Sequence, residues 1–153
     1  MTSLVIKTAL GQMVLSLHRD RAPATVAHVA ALAASGAFDG AATFYRSDFV
    51  IQCGLHGSGR ASPLPPLSKN ESPGGLSNTR GAMAVAHWDV PDCGSSEFFI
   101  SLKANAHLDS AYGGYCVFAS VAPGDAASFA TVDAIAAAVL RGDKPQITSF
   151  AVL

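Results

Sequence analysis

Hydrophobic and polar positions alternate near the start of the chain. In residues 13–18, Met13, Leu15 and Leu17 alternate with Val14, Ser16 and His18, which is the period of a half-buried β-strand. Residues 4–8 form another apolar run before Gly11, so the pattern predicts two strands at the start of the fold. Further short strands are predicted near residues 43–53, 81–86, 97–102 and 115–121, with a last strand over 146–153.

Two stretches repeat their apolar residues at helical spacing instead. In the first, Pro23 suits the first turn of a helix and Gly36 suits its end, and the apolar face consists of Val26, Val29, Ala30 and Ala33. The second ends at Gly142 and presents Val132, Ile135, Ala136 and Val139. Many short strands with one early and one late helix favour a mainly antiparallel β fold. The pattern alone leaves a sandwich and a closed barrel equally open.

Between the predicted strands lies a long region, residues 53–80, that is rich in Gly, Ser and Pro. Structureless loops of this length are uncommon in compact domains and are usually functional or mobile. Its glycines are not followed by Lys-Ser or Lys-Thr, so the region does not match a phosphate-binding loop.

Composition narrows the class of protein. A chain of 153 residues, half of them hydrophobic and 14% charged, is long enough for one globular domain, expected to span 1–153. The net charge of −1 gives no reason to expect a nucleic acid or a membrane as partner. No apolar run approaches the roughly 18 residues of a membrane span, and the start lacks a secretory pattern. We therefore expect a monomeric, cytoplasmic protein.

The three cysteines, Cys53, Cys93 and Cys116, are widely spaced. In a cytoplasmic protein we expect reduced thiols rather than disulfides. Cys53 and His56 have metal-ligand spacing, but no second ligand pair follows at zinc-like spacing, so no metal is expected.

The candidate chemistry lies in the segment over residues 43–52, where Arg46 stands among aromatic and aliphatic residues and is followed by Gln52. A guanidinium in a buried strand is costly unless its donors are used. A second apolar segment further along the chain contains Glu97, Phe98 and Phe99. The two segments together predict a hydrophobic slot with one directed cation, which suits an apolar group beside a carbonyl.

Six collinear motifs give the chain a family resemblance: Phe44-x-Arg46, Phe49-x-Ile51-Gln52, Arg80-Gly81-x-Met83-Ala84-x-Ala86, Ser96-x-Phe98-Phe99-Ile100, Leu108-Asp109 and Val117-Phe118. In this order they resemble the cyclophilins, which are peptidyl-prolyl cis/trans isomerases. The resemblance covers nearly the whole chain. It implies a closed eight-stranded antiparallel β-barrel capped by two α-helices, with the active site on its outer face. It also implies isomerisation of X–Pro bonds in proteins, assisting their folding, without metal or cofactor and with proline-containing peptides and proteins as partners.

The resemblance also assigns roles to residues. Arg46 matches the catalytic arginine, which stabilises the twisted amide, and Gln52 matches the glutamine that binds the substrate backbone and helps to hold that arginine. The proline pocket is matched by Phe49, Val50, Phe99 and Leu108. The remaining predicted substrate-binding residues are Ala86, His87, His107 and Tyr115.

Several positions depart from the family pattern. His107 replaces a tryptophan that hydrogen-bonds cyclosporin, so we expect weak cyclosporin binding at most. Glu97 replaces a glutamine, and we expect its carboxylate to pair with Arg46 and reduce its pull on substrate. Trp88 is large for a residue that gates the pocket for residues before proline. Two residues are missing between Arg46 and Phe49 relative to the usual spacing, which would shift the arginine.

These departures keep a second hypothesis open, a non-catalytic cyclophilin-like module that binds proline-containing segments. A hydrolase is a third class, but no Ser-His-Asp or Cys-His signature has a suitable context in this chain.

Overall fold

The computed structural model describes residues 2–72, 75–87 and 94–153. These residues form eight strands, two α-helices and two short 3₁₀ turns, Ala106–Asp109 and Ala111–Gly113. The strands are β1 (Ser3–Thr8), β2 (Gly11–Leu17), β3 (Thr43–Ser47), β4 (Val50–Gly54), β5 (Ala82–Val85), β6 (Glu97–Ser101), β7 (Val117–Val121) and β8 (Ile147–Val152). The helices are α1 (Pro23–Ser35) and α2 (Ala126–Leu140).

The single strand predicted over residues 43–53 is wrong, because the chain reverses direction at Asp48 and Phe49. Asp48 stabilises this turn with two hydrogen bonds. Its N–H donates to the carbonyl of Val50 at 3.0 Å, and its Oδ1 accepts from the N–H of Val50 at 3.1 Å. The result is the β3–β4 hairpin, in which Arg46 pairs with Gln52. The register shifts between Phe44 and Arg46, which marks a bulge just before the arginine.

The strands form one antiparallel sheet in the order β3-β4-β6-β5-β7-β2-β1-β8. Its two edge strands meet through a bridge between Thr43 and Gln146. The N–H of Phe44 also donates to the carbonyl of Pro145 at 2.9 Å. The sheet is therefore a nearly closed barrel, and the barrel rather than the sandwich is confirmed.

The helices cover the barrel, and both predicted helices are confirmed. Gly36 ends α1 in the left-handed conformation, with φ 71°. The first turn of α1 has no capping side chain of its own, but Glu71 from the long loop accepts from the N–H groups of Ala24 at 3.3 Å and Thr25 at 2.7 Å. A carboxylate at a helix N-terminus is favourable, so the loop is tied to the helix.

Strand alternation divides the apolar residues into an inner core and an outer cluster. Phe98 points into the barrel, where its ring lies 5.6 Å from that of Phe118 and 5.9 Å from that of Phe38. Phe99, its neighbour on β6, points to the opposite face. There it joins the outer cluster, which consists of Val50, Ala82, Ala84, Phe99, Leu108 and Val117.

A polar frame holds the 3₁₀ turn Ala106–Asp109 over this outer cluster. Asp109 Oδ1 accepts from the backbone N–H and the side-chain amide of Asn78, each at 2.8 Å. Asn105 Nδ2 donates to the carbonyl of Phe49 at 3.0 Å. The frame therefore connects the turn to the end of the β3–β4 hairpin.

Two further sequence predictions concern thiols and membranes. Cys53 and Cys116 are buried free thiols, and burial raises the pKa of both; Cys93 lies outside the described residues. None of the helices in the described ranges is long and apolar enough to span a bilayer.

Candidate active site on the outer face of the barrel

A pocket of about 360 Å³ lies over the outer cluster. Its lining brings together the catalytic and substrate-binding residues predicted from the sequence: Arg46, Phe49, Val50, Gln52, Ala86, His87, Phe99, His107, Leu108 and Tyr115. Trp88, which was predicted to gate the pocket, lies outside the described residues. The β3–β4 hairpin, β6 and the 3₁₀ turn supply most of the walls.

The apolar floor follows from the strand register. In β4, Val50 and Gln52 face the same side, and Gln52 lies opposite Phe99 of β6. Val50, Phe99 and Leu108 are nearly inaccessible, with 1%, 4% and 8% of their surface exposed. Phe49 is half-buried at the rim. A ligand group that fills this floor would therefore be apolar and compact.

Arg46 is the cation of the pocket, and it is exposed rather than buried in a strand. Its Nε donates to Asp48 Oδ2 at 2.8 Å, and its Nη1 donates to Gln52 Oε1 at 3.2 Å. The guanidinium carbon lies 5.2 Å from the centre of the Phe49 ring, within cation–π range. Nη2 has no hydrogen-bond partner in residues 2–72, 75–87 and 94–153, so one donor group is available to a ligand.

Aromatic and histidine side chains form the rest of the rim. The His87 ring stacks on Tyr115 with centroids 4.2 Å apart. His87 Nε2 lies 2.8 Å from the carbonyl oxygen of Gly114, and because a carbonyl only accepts, this nitrogen carries the proton. His107 meets the Phe49 ring edge-on at 5.2 Å. The rim therefore combines flat apolar surfaces with ring N–H groups.

Two lining residues were missed by the sequence reasoning, Ala111 and Tyr112. Tyr112 adopts the left-handed conformation with φ 50° and ψ 39°, and it is 62% exposed. The following Gly113 and Gly114 signal a turn in the sequence, but nothing in the sequence connects that turn to the pocket. A large side chain held in a strained conformation at a pocket mouth is a candidate ligand contact.

The predicted ion pair between Glu97 and Arg46 is wrong. Glu97 lies opposite Gly54 in the β4–β6 register, at the end of β4 away from the arginine. Its Oε1 accepts the hydroxyl of Tyr45 at 2.7 Å, and its Oε2 accepts the hydroxyl of Ser96 at 2.8 Å. Burial and the bond to Glu97 raise the pKa of Tyr45 well above its usual range, so the phenol remains a donor.

No group of three or more His, Cys, Asp or Glu side chains suited to a metal ion occurs among the residues that the structure describes. The side chains around the pocket offer instead a cation, an amide and aromatic rings.

Comparison with known proteins gives a family match over nearly the whole chain. The model of the family described as cyclophilin type peptidyl-prolyl cis-trans isomerase/CLD matches residues 3–152. Among individual proteins, the chain is 35% identical to a peptidyl-prolyl cis-trans isomerase of Streptomyces antibioticus over 133 residues, which are 81% of this chain and 79% of that protein. It is 35% identical to peptidyl-prolyl cis-trans isomerase B of Escherichia coli over 123 residues, 74% of each chain.

The fold is also similar to solved structures. A Cryptosporidium parvum cyclophilin type peptidyl-prolyl cis-trans isomerase superposes with a TM-score of 0.74 at 21% identity, covering 99% of this chain and 97% of that one. A second crystal structure of that protein, determined in the presence of the dipeptide Ala-Pro, superposes with a TM-score of 0.73 and covers 99% and 98% of the two chains.

Proposed function

The chain belongs to the cyclophilin-type peptidyl-prolyl cis-trans isomerases, and from this premise we propose that it rotates X–Pro bonds of polypeptides in the pocket beside Arg46. The residues that line this pocket carry the mechanism.

The reaction needs electrostatic help rather than a nucleophile. Resonance between the amide nitrogen and its carbonyl gives the X–Pro bond a barrier of about 18–20 kcal/mol. In the twisted transition state this resonance is lost, and the nitrogen lone pair becomes a hydrogen-bond acceptor. A donor fixed beside that nitrogen therefore binds the transition state better than the planar ground state, which is the condition for a higher kcat.

The apolar floor is suited to hold the proline ring. Val50, Phe99 and Leu108 are already packed in the outer cluster, so they offer a surface that need not rearrange to receive the ring. Burying that ring removes apolar area from water, which stabilises the complex by about 25 cal/mol per Å². Anchoring the ring leaves the preceding residue as the part that rotates.

Arg46 supplies the donor. Its Nε and Nη1 are held by Asp48 and Gln52, which leaves Nη2 for the prolyl nitrogen. A guanidinium fixed at two of its nitrogens loses little freedom when the third binds, so its electrostatic effect is preorganised. In this mechanism no proton is transferred, because the guanidinium acts only as a hydrogen-bond donor.

The rim is assigned to the rest of the substrate. We infer that Gln52, Ala86 and His87 bind the substrate backbone, and that His107 and Tyr115 border the pocket. The backbone N–H of Ala86 already donates to the carbonyl of Glu97 at 2.9 Å, so this N–H is not the group that we assign to the substrate. The Ala-Pro dipeptide used with the similar Cryptosporidium parvum protein is a substrate fragment of the size that this pocket would take.

One observation supports the proposal most: the guanidinium of Arg46, whose Nη2 has no partner among the described residues, borders an apolar floor. The test is an isomerisation assay on a short Ala-Pro peptide with Arg46→Ala. We expect kcat/KM to fall about 10²–10³-fold, the usual effect of removing one preorganised donor. Circular dichroism should show that the variant keeps the wild-type fold. Arg46→Lys should rescue activity in part, because the planar fork is lost.

A matched control is Arg141→Ala. Arg141 is 65% exposed and pairs with Asp143 at 3.8 Å, so its removal should leave kcat/KM unchanged. Equal activity of wild type and Arg46→Ala would refute the assigned role of the arginine.

The second candidate function is a module that binds proline-containing segments without turning them over. It is favoured by the 2.8 Å ion pair between Arg46 and Asp48, because a carboxylate at this distance offsets part of the charge that would act on the substrate. Exchange spectroscopy by NMR on a peptide with both isomers separates the two. Catalysis gives exchange cross-peaks at substoichiometric protein, whereas binding alone gives shifts without added exchange.

A further inference from the structure

We propose that Tyr45 and Glu97 are positioning residues for the arginine: together they fix the side-chain amide of Gln52 so that its oxygen faces Arg46. The inference rests on the proposed function, because it adds residues to the machinery of that same site. Neither Tyr45 nor Glu97 lines the pocket itself, so both would act only through Gln52.

The four side chains form one continuous series of hydrogen bonds. Arg46 Nη1 donates to Gln52 Oε1 at 3.2 Å. Gln52 Nε2 donates to the Tyr45 hydroxyl at 3.0 Å. The Tyr45 hydroxyl donates to Glu97 Oε1 at 2.7 Å. The series crosses three adjacent strands, β3, β4 and β6, and it reaches the pocket at the guanidinium.

The direction of this series is fixed at both ends. A guanidinium only donates hydrogen bonds, and a carboxylate only accepts them. Because Glu97 accepts, the Tyr45 hydroxyl must donate to it, and its oxygen is then the acceptor for the amide nitrogen of Gln52. The amide oxygen is left facing Arg46. If the amide rotated by half a turn, its NH₂ group would face the guanidinium, and two donors would be opposed.

Glu97 is itself held in a built site. Besides Tyr45 and Ser96, its carboxylate accepts from the backbone N–H groups of Leu55 at 3.2 Å and His56 at 3.3 Å. Gly54 leaves the space for it, because a Cβ atom at that position would lie 2.2 Å from Glu97 Oε1. A carboxylate with four donors around it is a fixed reference point for the phenol, in contrast to a mobile surface charge.

The chemical consequence concerns the transition state. Gln52 and Asp48 together set where the remaining donor of Arg46 lies, so an amide that is free to rotate would leave the guanidinium with one anchor. Displacement of a catalytic group by a fraction of an ångström lowers the rate with little effect on substrate affinity. Loss of the series should therefore lower kcat and leave KM nearly unchanged.

The test is Tyr45→Phe, which removes one hydroxyl and keeps the ring. We expect kcat on the Ala-Pro peptide to fall about two- to ten-fold, the scale of one hydrogen bond, with KM changed less than two-fold. In the Arg46→Ala background, the same change should have no further effect, because the two residues act in series. A merely structural role would lower activity in both backgrounds.

Glu97→Gln is the second variant. A glutamine amide has one acceptor oxygen, whereas the carboxylate of Glu97 has two. Either the Tyr45 hydroxyl or the N–H of Leu55 therefore loses its acceptor, and we expect kcat to fall. A direct ion pair with Arg46 would predict a rise instead. The matched control is Glu71→Gln, another carboxylate that accepts backbone N–H groups but lies outside the pocket, for which kcat should stay at the wild-type value.

A readout independent of turnover separates this inference from the proposed function. The Nε–H signal of Arg46 in ¹H–¹⁵N NMR spectra should shift in Tyr45→Phe and stay in place in Glu71→Gln. An unchanged Arg46 signal together with wild-type kcat in Tyr45→Phe overturns the inference, even if Arg46→Ala is inactive. A shifted signal with no turnover by wild type overturns the proposed function and leaves the hydrogen-bond series established.

Discussion

Asp48 acts on Arg46 in two opposing ways, because its carboxylate anchors the guanidinium and also offsets its charge. We expect the charge effect to be the larger one, so removal of the ion pair should raise activity. The perturbation is Asp48→Asn. The asparagine oxygen still accepts from the N–H of Val50, which Asp48 now binds at 3.1 Å, so the hairpin turn is preserved. Its amide nitrogen, however, cannot accept from Arg46 Nε. The variant thus removes the ion pair while it retains the local fold.

The size of the effect follows from the geometry. At 2.8 Å, two unit charges attract each other by about 1.5 kcal/mol in bulk water. Both side chains are 43% exposed, and exposed pairs keep only about 0.2–1 kcal/mol of this attraction. If that energy becomes available to the transition state, kcat/KM rises by at most about five-fold, since 1.36 kcal/mol is a factor of ten.

The assay is kcat/KM on an Ala-Pro peptide at low ionic strength. Asp143→Asn is the control, because Asp143 follows Arg141 with the same spacing and pairs with it at 3.8 Å outside the pocket. We expect a rise in Asp48→Asn and no change in Asp143→Asn. A fall in Asp48→Asn would refute the reasoning: it would mean that the carboxylate orients the guanidinium and that orientation outweighs charge.

Three further predictions concern ligand binding, pH and packing. His107→Trp should tighten cyclosporin binding by about 1–3 kcal/mol, the scale of one well-made polar contact, as measured by calorimetry; wild-type binding of equal strength would contradict this. Burial lowers the pKa of His18 below 6.5, so its contribution to stability is complete above pH 6.5 and is lost as the pH falls through its folded pKa. The Tm should therefore decrease on acidification from pH 7.5 to 5, and by less in His18→Gln; equal decreases would exclude His18 as a cause. Phe98→Ala should lower the free energy of unfolding by about 3–5 kcal/mol in urea denaturation, because Phe98 is 0% exposed in the inner core; a loss below 1 kcal/mol would show that the core collapses around the gap.

Much of the fold was predictable because it depends on local periodicity. Met13 and Leu15 alternate with more exposed neighbours in β2, and Gly36 ends α1 at the predicted place. The β3–β4 hairpin was missed because its turn contains neither Gly nor Pro, and the reversal is closed by hydrogen bonds of one residue, Asp48. Closure of the barrel could not be read from periodicity, since it joins residues far apart in the sequence, Thr43 and Gln146.

The residues that line the pocket were predictable from the family motifs, but the hydrogen bonds among the side chains around it were not. The motifs place Arg46, Gln52 and Phe99 together, as the structure does. The partner of Glu97 is Tyr45, which lies 52 positions earlier in the chain, and charge alone favoured the arginine instead. A sequence shows that two residues have opposite charges, but the strand register decides which side chains are close enough to form a bond.

The pairing of β1 with β8 has a consequence for biosynthesis. One edge of β1 pairs with β2. On the other edge, Leu4 lies opposite Val152 and Ile6 opposite Phe150, so this edge finds its neighbour only after β8 has been synthesised. Ribosomes add about 5–20 residues per second, so roughly 7–30 s separate the emergence of the two strands. During this time the nascent chain exposes one edge of β1, and such unpaired edges are sites of misassociation. The barrel therefore cannot close before β8 has been synthesised, and until then this edge of β1 is open to pairing with other chains.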